Sequence, residues 1–455
     1  MKITIEITYL IASVLFILGI KYLGSPKTAR KGNLYAAIGM FLAIAATLFD
    51  QQVLTFEWII IGSLIGSIAG VIMAYKTPMT GMPQMVGMLN GFGGGASILV
   101  ALSEYFKKNP NYPVNTGIPF NLPIDQGIAI ILSILIGGVT FTGSMIAFGK
   151  LQGLVTGRVV KYPLQHTMNA LLFLGVIGAG VYVVMFPAMI NVVLIISLVS
   201  LILGVLLVLP IGGADMPVAI SLLNSYSGIA GSMTGFVLGN NVLIIAGALV
   251  GASGIILTMI MCKGMNRSLM NVVLGGWANA GSTSATSSTT SPKGDVKSID
   301  SEELAMLLDS VSSVIIVPGY GMAVGQAQHA VRDLVNLLEK KGVKVRFAIH
   351  PVAGRMPGHM NVLLAEAQVP YDKLFAMEDI NDDFNNTDVV IVIGANDVVN
   401  PAARHDQSSP IFGMPILNVD YAKTVIINKR SMNAGYAGID NELFFYPNAL
   451  MYFGD

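Results

Sequence analysis

The sequence of 455 residues contains one cysteine, Cys262, and few charged residues. A single cysteine excludes a disulfide within the chain and metal chemistry of the Cys-x-x-Cys kind. Charged residues make up 11% of the chain, against about 25% in soluble domains. Hydrophobic residues make up 53%, so the composition predicts a membrane protein.

Residues 4–262 contain nine apolar stretches, each close to the roughly 20 residues that a membrane-spanning helix needs. We predict spans at 4–23, 33–49, 55–75, 83–105, 126–149, 167–186, 189–209, 216–238 and 241–262. The first stretch lacks the cleavage site of a secretory signal, and a second apolar stretch follows it directly. The chain thus divides into a transmembrane domain over 1–262, a linker over 263–300 and a domain over 301–455. Residues 277–300 of this linker are rich in serine and threonine and are typical of a flexible tether.

The basic residues of the loops predict the orientation of the helical domain. One side carries Lys21, Lys27, Arg30, Lys31, Lys76, Lys150, Arg158, Lys161, Lys263 and Arg267, and the other carries Lys2, Lys107 and Lys108. Loops rich in lysine and arginine stay in the cytoplasm, which predicts an external N-terminus and a cytoplasmic C-terminal domain. Residues 263–455 carry 15 basic and 20 acidic residues, a balance that does not favour nucleic-acid binding.

Residues 301–455 have the pattern of an α/β domain. Short β-branched runs predict strands at 313–317, 343–349, 389–393, 415–419 and 424–428, and helical stretches lie at 322–341 and 358–368. This alternation indicates a parallel sheet. The predicted fold is therefore a membrane bundle of about nine helices plus a Rossmann-like α/β domain.

The first strand of this domain leads into a turn with glycines at positions 319 and 321 around Tyr320. A strand, a Gly-x-Gly turn and a helix start together let backbone amides face a pyrophosphate. The fingerprint is imperfect, because Val324 stands where a third glycine is usual. We therefore favour a dinucleotide site, and a tight turn without a ligand stays open as the alternative.

Two features favour NADP(H) over NAD(H). An NAD site usually has an acidic residue after the second strand, and none follows 343–349 here. Further along, Lys429, Arg430 and Ser431 are adjacent and suit the 2′-phosphate through charge-assisted hydrogen bonds.

The sequence contains no Ser/His/Asp set, no metal-binding cluster and no paired acid and base with diagnostic spacing. Hydride transfer needs none of these, because the nicotinamide supplies the chemistry. We interpret His350 and His359, which flank a Gly-Arg-Met-Pro-Gly loop, as loop histidines with backbone partners.

Several long strings of residues carry a resemblance to a known family. They are Val-Pro-Gly-Tyr-Gly-Met-Ala-Val (317–324), His-Pro-Val-Ala-Gly-Arg-Met-Pro-Gly-His-Met-Asn (350–361), Gly-Ala-Asn-Asp-Val-Val-Asn-Pro-Ala (394–402), Asn-Lys-Arg-Ser-Met (428–432), Val-Thr-Phe-Thr-Gly-Ser (139–144) and Gly-Gly-Ala-Asp-Met-Pro (212–217). Over nearly its whole length the chain resembles the β subunit of proton-translocating NAD(P)+ transhydrogenase. The resemblance implies a Re/Si-specific enzyme of the bacterial inner membrane that couples hydride transfer to proton translocation.

The same resemblance implies that residues 301–455 bind NADP(H), while a partner α subunit binds NAD(H) and supplies further membrane helices. The implied assembly is a dimer of αβ units in a lipid bilayer. The implied cofactor-binding residues are Gly319, Tyr320, Gly321, Val352, Ala353, Gly354, Arg355, Met356, Pro357, Gly394, Ala395, Asn396, Asp397, Val398, Gly413, Met414, Lys429, Arg430, Ser431, Met432, Asn433, Ala434, Gly435 and Tyr436. Asp397 is implied in proton coupling, and the segment 429–436 is implied as a lid.

The resemblance also implies a proton path through the helices that carry Asn90, Ser144 and Asn224, with Asp215 and His166 near its cytoplasmic mouth. Helix–helix hydrogen bonding is the alternative role for these side chains. Some family members have a histidine where this chain has Asn90. Asparagine does not carry a proton, so either the α subunit supplies the titratable group or water bridges the gap.

Two other classes of function compete with this hypothesis. A nucleotide-gated channel predicts a selectivity filter such as Thr-Val-Gly-Tyr-Gly, which the sequence lacks. A membrane-anchored dehydrogenase predicts inert spans, whereas the glycine-rich helices here carry polar residues.

Overall fold

In the part of the chain that the structure describes, nine helices of 19 to 29 residues form the N-terminal unit. The computed structural model describes residues 2–25, 28–50, 56–109, 120, 122–157, 159–266, 268–273, 296–407, 409, 411–432 and 439–454. The helices are α1 (Lys2–Leu23), α2 (Ala29–Asp50), α3 (Glu57–Lys76), α4 (Met82–Lys108), α5 (Ile124–Gln152), α6 (Gln165–Met185), α7 (Ile190–Val208), α8 (Met216–Leu238) and α9 (Asn241–Gly264). Each predicted span coincides with one of these helices.

Eight of these helices are long and apolar enough to cross a membrane, and α8 is the exception in the described part of the chain. The polar residues of α8 explain the difference; they are Ser221, Asn224, Ser225, Ser227, Ser232 and Thr234. The prediction of multiple spans is confirmed for eight helices, and a crossing by α8 stays a prediction.

Glycine allows close contact between helix backbones in this unit. A Cβ atom on Gly94 of α4 would lie 2.6 Å from the carbonyl oxygen of Gly137 on α5. A Cβ on Gly228 of α8 would lie 2.8 Å from the carbonyl oxygen of Gly247 on α9. Larger residues would force these helices apart, so small residues make the tight packing of this unit possible.

The C-terminal part forms a separate compact unit around a six-stranded, wholly parallel sheet. Its strands are β1 (Ser313–Pro318), β2 (Lys344–Ile349), β3 (Leu374–Ala376), β4 (Val389–Ile393), β5 (Thr424–Lys429) and β6 (Ala449–Phe453), in the order β3-β2-β1-β4-β5-β6. The helices are α10 (Leu269–Val273), α11 (Ser301–Asp309), α12 (Tyr320–Val324), α13 (Gln328–Lys340), α14 (His359–Glu366), α15 (Met377–Ile380) and α16 (Ala402–His405). Residues 314–317 are completely buried, as expected of a central strand covered on both faces. The predicted α/β domain with a parallel sheet is confirmed.

The strand predicted at 415–419 is wrong. This buried segment satisfies its backbone through other groups: the Asn381 side chain donates to the Ile416 carbonyl at 3.0 Å and accepts from the Asn418 amide at 2.9 Å. The segment therefore has its hydrogen bonds without joining the sheet. The sequence analysis missed β3 and β6, which form the two edges of the sheet.

The helix predicted over 322–341 is divided in the structure. It ends as α12 at Val324 and resumes as α13 at Gln328. Between them Gln326 adopts φ +49°, a left-handed conformation that interrupts a regular helix. The helix predicted at 358–368 is confirmed as α14. Most of the predicted linker, residues 274–295, lies outside the described residues.

Candidate functional site

The site lies at the carboxyl edge of the sheet, between β1 and β4. From this pair, successive strands are added outward in opposite directions. β1 and β4 are neighbours, with Pro318 paired to Ile393 at their ends. β2 and β3 extend the sheet on one side of this pair, and β5 and β6 extend it on the other. Open α/β sheets bind nucleotides in the crevice at such a switch point.

Three glycines pack backbone against backbone at this crevice. A Cβ on Gly319 would lie 2.3 Å from the carbonyl oxygen of Gly394, and a Cβ on Gly321 would lie 2.7 Å from its Cα. Gly394 adopts φ +66°, and a Cβ there would lie 2.2 Å from the Met322 amide nitrogen. No other residue fits these positions, because a side chain would displace backbone atoms.

The amides of the turn glycines donate to the protein itself. Gly319 N–H donates to the Ile393 carbonyl at 2.8 Å, and Gly321 N–H donates to the Gly394 carbonyl at 2.9 Å. Close approach to β4 thus explains both glycines, and these two amides are not the ones that face a pyrophosphate.

His350 anchors the loop that follows β2. It is 2% exposed, its Nδ1 accepts from the Val352 amide at 3.2 Å, and its Nε2 lies 2.8 Å from the Pro415 carbonyl. A carbonyl only accepts, so Nε2 carries the proton and the ring is the neutral tautomer. Burial lowers the pKa of His350 to about 4, opposed by the Pro415 hydrogen bond and the charge of Glu378.

We expect this anchor to weaken in acid. The folded-state pKa of His350 lies below its ordinary value of 6.5, so the unfolded state binds an extra proton as pH falls from about 6.5 to 4. Its stabilising contribution is complete above pH 6.5, and about 2 kcal/mol of it disappears between pH 7 and pH 5. Hydrogen exchange at 350–357 and 416–418 measures this. His350→Gln should remove the pH dependence and the exposed control His329→Gln should keep it; equal behaviour of the two variants would contradict the assignment.

Arg355 lies over the turn that follows β1. Its guanidinium carbon is 4.3 Å from the centroid of the Tyr320 ring, and the Tyr320 and His359 rings are 6.1 Å apart. The Arg355 amide donates to Nδ1 of His359 at 3.0 Å. The loop thus brings a positive charge to an aromatic face beside the glycine crevice. Both loop histidines have backbone partners, as predicted.

The segment after β4 carries Asp397 in a hydrogen-bond network with Asn396 and Asn441. Asn396 donates to the Asp397 carboxylate at 3.2 Å and to the Ile439 carbonyl at 3.0 Å. Asn441 donates to the Asn396 carbonyl at 3.0 Å. Burial raises the pKa of Asp397, and the Asn396 hydrogen bond and the charge of Lys429 oppose this.

The end of β5 brings basic side chains to the same edge. Asn428 pairs with Ile393, so Lys429, the last residue of β5, lies beside the Gly394 turn. Burial lowers the pKa of Lys429, although the charges of Asp440 and Asp397 oppose this. The Lys429 amine lies 4.6 Å from the centroid of the Phe444 ring. An anion bound at this amine would favour its charged form and so oppose the effect of burial.

The structure brings the implied nucleotide residues together at the carboxyl ends of four strands: 319–321 at β1, 352–357 at β2, 394–398 at β4 and 429–432 at β5. Gly413, at φ +76°, and Met414 precede the segment that His350 holds. Asn433, Ala434, Gly435 and Tyr436 lie outside the described residues. The sequence analysis missed Asn441 and Asp440, which no local motif signals.

In the helical unit, α4, α5 and α8 meet at the implied proton-path residues. Asn90 donates to the Ile220 carbonyl of α8 at 3.3 Å, one turn before Asn224. Ser144 is completely buried, and its Cβ would lie 3.3 Å from a Cβ on Gly91 of α4. Within the described residues, the Ser144 hydroxyl has no hydrogen-bond partner.

The other two implied path residues lie at helix ends. Asp215 closes a short 3-10 turn, Gly213–Asp215, directly before α8, and His166 is the second residue of α6. Asp215 precedes Asn224 by nine residues, about 13 Å of helix. His166 is exposed.

Comparisons with known proteins identify relatives over almost the whole chain. Residues 5–455 match the family described as NAD(P) transhydrogenase beta subunit. Two curated proteins of Rhodospirillum rubrum, one from a named strain, are both called NAD(P) transhydrogenase subunit beta. Each is 51% identical over 449 residues, which cover 98% of this chain and 95% of the relative.

Proposed function

The chain belongs to the NAD(P) transhydrogenase beta subunit family, and on that premise we propose that it is the subunit that holds NADP(H). It is part of a membrane-associated enzyme complex that binds nicotinamide nucleotides. The proposed reaction is hydride exchange between NADP(H) in the α/β unit and NAD(H) on an α subunit. Proton movement through the helical unit drives this exchange.

The observation that carries the NADP(H) assignment is the crevice between β1 and β4 with basic residues at its β5 side. Gly319 and Gly394 let β1 and β4 approach backbone to backbone at the strand ends, where a dinucleotide would bind. Lys429, Arg430 and Ser431 would hold the 2′-phosphate, and Arg355 would contact the nucleotide over Tyr320. When bound, the nicotinamide accepts or donates the hydride.

Asp397 is the chain's own candidate for linking protonation to nucleotide binding. Its raised pKa brings protonation closer to neutral pH, and the charge of Lys429 opposes it. A change at either residue therefore alters the charge that the crevice presents. Coupling of this kind is a free energy shared between two sites, so nucleotide binding must alter proton affinity by the same amount.

We propose that Asn90, Ser144 and Asn224 line the proton path, with Asp215 and His166 near its entrance. The buried Ser144 hydroxyl and the Asn90 amide both lie where α4, α5 and α8 meet. Buried polar groups are rare in membrane helices, and they commonly mark ion pathways. Asn90 and Asn224 orient water, and an α subunit supplies the titratable group that this trio lacks.

The name of the relatives implies an α subunit as partner, and we propose a dimer of αβ units in a bacterial inner membrane. The proposed orientation has the N-terminus outside and residues 301–455 in the cytoplasm, after a linker over 263–300. In the described chain α3 buries none of its side chains, although most of them are apolar. Such a helix is available to the lipid and to the helices of other subunits.

Replacing Asn224 by alanine tests the proposed function. In vesicles containing the αβ complex, we expect proton uptake coupled to hydride transfer to fall about tenfold, a barrier increase of about 1.4 kcal/mol. Hydride exchange without net proton transfer should change little, because the nucleotide site is intact.

Ser232→Ala is the matched control. It removes a hydroxyl of the same helix, which donates to the Ile244 carbonyl of α9 at 3.2 Å. Both activities should survive this change. Equal loss of coupled and uncoupled exchange in Asn224→Ala would refute the path role, and ion flux without hydride exchange would indicate a channel instead.

A further inference from the structure

The helices α4, α5 and α8 also meet at a second layer of polar side chains, separate from the layer that contains Asn90, Ser144 and Asn224. The hydroxyls of Ser133 on α5 and Thr234 on α8 are 2.9 Å apart, and Ser133 Oγ lies 3.2 Å from the Ser97 carbonyl of α4. Ser133 is 0% exposed and Thr234 is 4% exposed. One hydroxyl pair thus joins three helices inside the bundle.

This pair has two complete hydrogen-bonding arrangements. In one, Thr234 donates to Ser133, and Ser133 donates to the Ser97 carbonyl. In the other, Ser133 donates to Thr234, and Thr234 donates to the Ala230 carbonyl at 2.9 Å. A hydroxyl has one donor and two acceptor positions, so each oxygen can take up a proton on one side and release one on the other.

The pair continues the line of the proposed proton path. Ser133 lies 11 residues from Ser144 along α5, and Thr234 lies 10 residues from Asn224 along α8. At 1.5 Å per residue both separations are about 15 Å, half the hydrocarbon thickness of a bilayer. The buried Thr140 lies between the two layers on α5.

We propose that the Ser133–Thr234 hydroxyl pair is the second relay of the proton path, at the ends of α5 and α8 away from Ser144 and Asn224. This inference rests on the proposed function. A proton that water delivers to one hydroxyl oxygen displaces that group's own proton to the partner hydroxyl, and the partner's proton leaves to a second water, so each hydroxyl ends with one proton. Water completes the route between the two layers.

The competing role is a structural hydrogen bond between helices. The two roles predict different results. A structural bond affects stability and both activities together, whereas a relay affects proton transfer selectively.

Thr234→Val tests the relay, because valine keeps the shape and removes the hydroxyl. In vesicles containing the whole αβ complex, coupled proton uptake should fall about tenfold, while uncoupled hydride exchange and the melting temperature stay close to those of the unsubstituted complex. Thr234→Ser should restore uptake, and Ser133→Ala should reproduce the loss independently. Ser200→Ala is the control, since that buried hydroxyl donates within its own helix to the Ile196 carbonyl at 2.7 Å.

Normal proton uptake in both Thr234→Val and Ser133→Ala would overturn the relay, and so would equal loss of uptake, exchange and stability. If Thr234→Val does not assemble, Ser133→Ala alone decides. Absence of proton uptake in the unsubstituted complex would instead refute the proposed function itself.

Discussion

Replacing Gly394 by alanine is expected to weaken NADP(H) binding strongly. At φ +66° an alanine carries a backbone strain of about 1 kcal/mol, and its Cβ would lie 2.2 Å from the Met322 amide nitrogen. The contact is with backbone, so β4 and the β1 turn must separate. We expect the strain and this contact together to lower the binding free energy of NADP(H) by about 3 kcal/mol. Its affinity should therefore fall at least about 100-fold in a calorimetric titration of the αβ complex.

Gly342→Ala is the control for this change. Gly342 adopts φ +85° in the turn before β2, and a Cβ there would meet no atom within 4 Å. Gly342→Ala therefore introduces the same kind of backbone strain as Gly394→Ala, but no steric clash of the new Cβ with other atoms. Unchanged NADP(H) affinity in Gly394→Ala, or equal loss in both variants, would show that the close approach of β1 and β4 does not form the site.

Replacing Arg430 by glutamine is expected to lower the affinity for NADPH about 10- to 100-fold and to leave the affinity for NADH unchanged. The reason is that only NADPH carries the 2′-phosphate, and a hydrogen bond to a charged group contributes about 1.5–3 kcal/mol. Separate titrations of the complex with the two nucleotides measure the difference.

Arg332→Gln is the control for charge alone, because Arg332 lies on α13 and pairs with Asp333 at 2.7 Å. It should leave both affinities unchanged. An equal loss for NADPH and NADH in Arg430→Gln would mean that the residue supports the fold of the β5 end rather than recognising the phosphate.

The parts of the fold that follow from local patterns could be predicted from the sequence. Apolar runs located the membrane helices, because length and hydropathy alone define a span. The β-branched runs located β1, β2, β4 and β5, because buried parallel strands are continuously apolar. The segment 415–419 has the same composition, yet hydrogen bonds from Asn381, more than thirty residues away, keep it out of the sheet.

The candidate site, too, could be predicted from the sequence only in part. The glycines at 319 and 321 could be recognised from their spacing, but their role in packing against Gly394 depends on which strand adjoins β1. The contact between Asn441 and Asn396 and the hydroxyl pair of Ser133 and Thr234 join residues 45 and 101 positions apart. No single sequence shows such pairs, since neither partner belongs to a local motif.

The most direct test of NADP(H) binding by this chain is hydrogen exchange of the αβ complex with each nucleotide in turn. We predict that NADPH slows amide exchange at 352–357, 394–398 and 429–432, and that NADH at the same concentration does not. Equal protection of these segments by NADH, or protection confined to the α subunit, would contradict the assignment of NADP(H) to this chain.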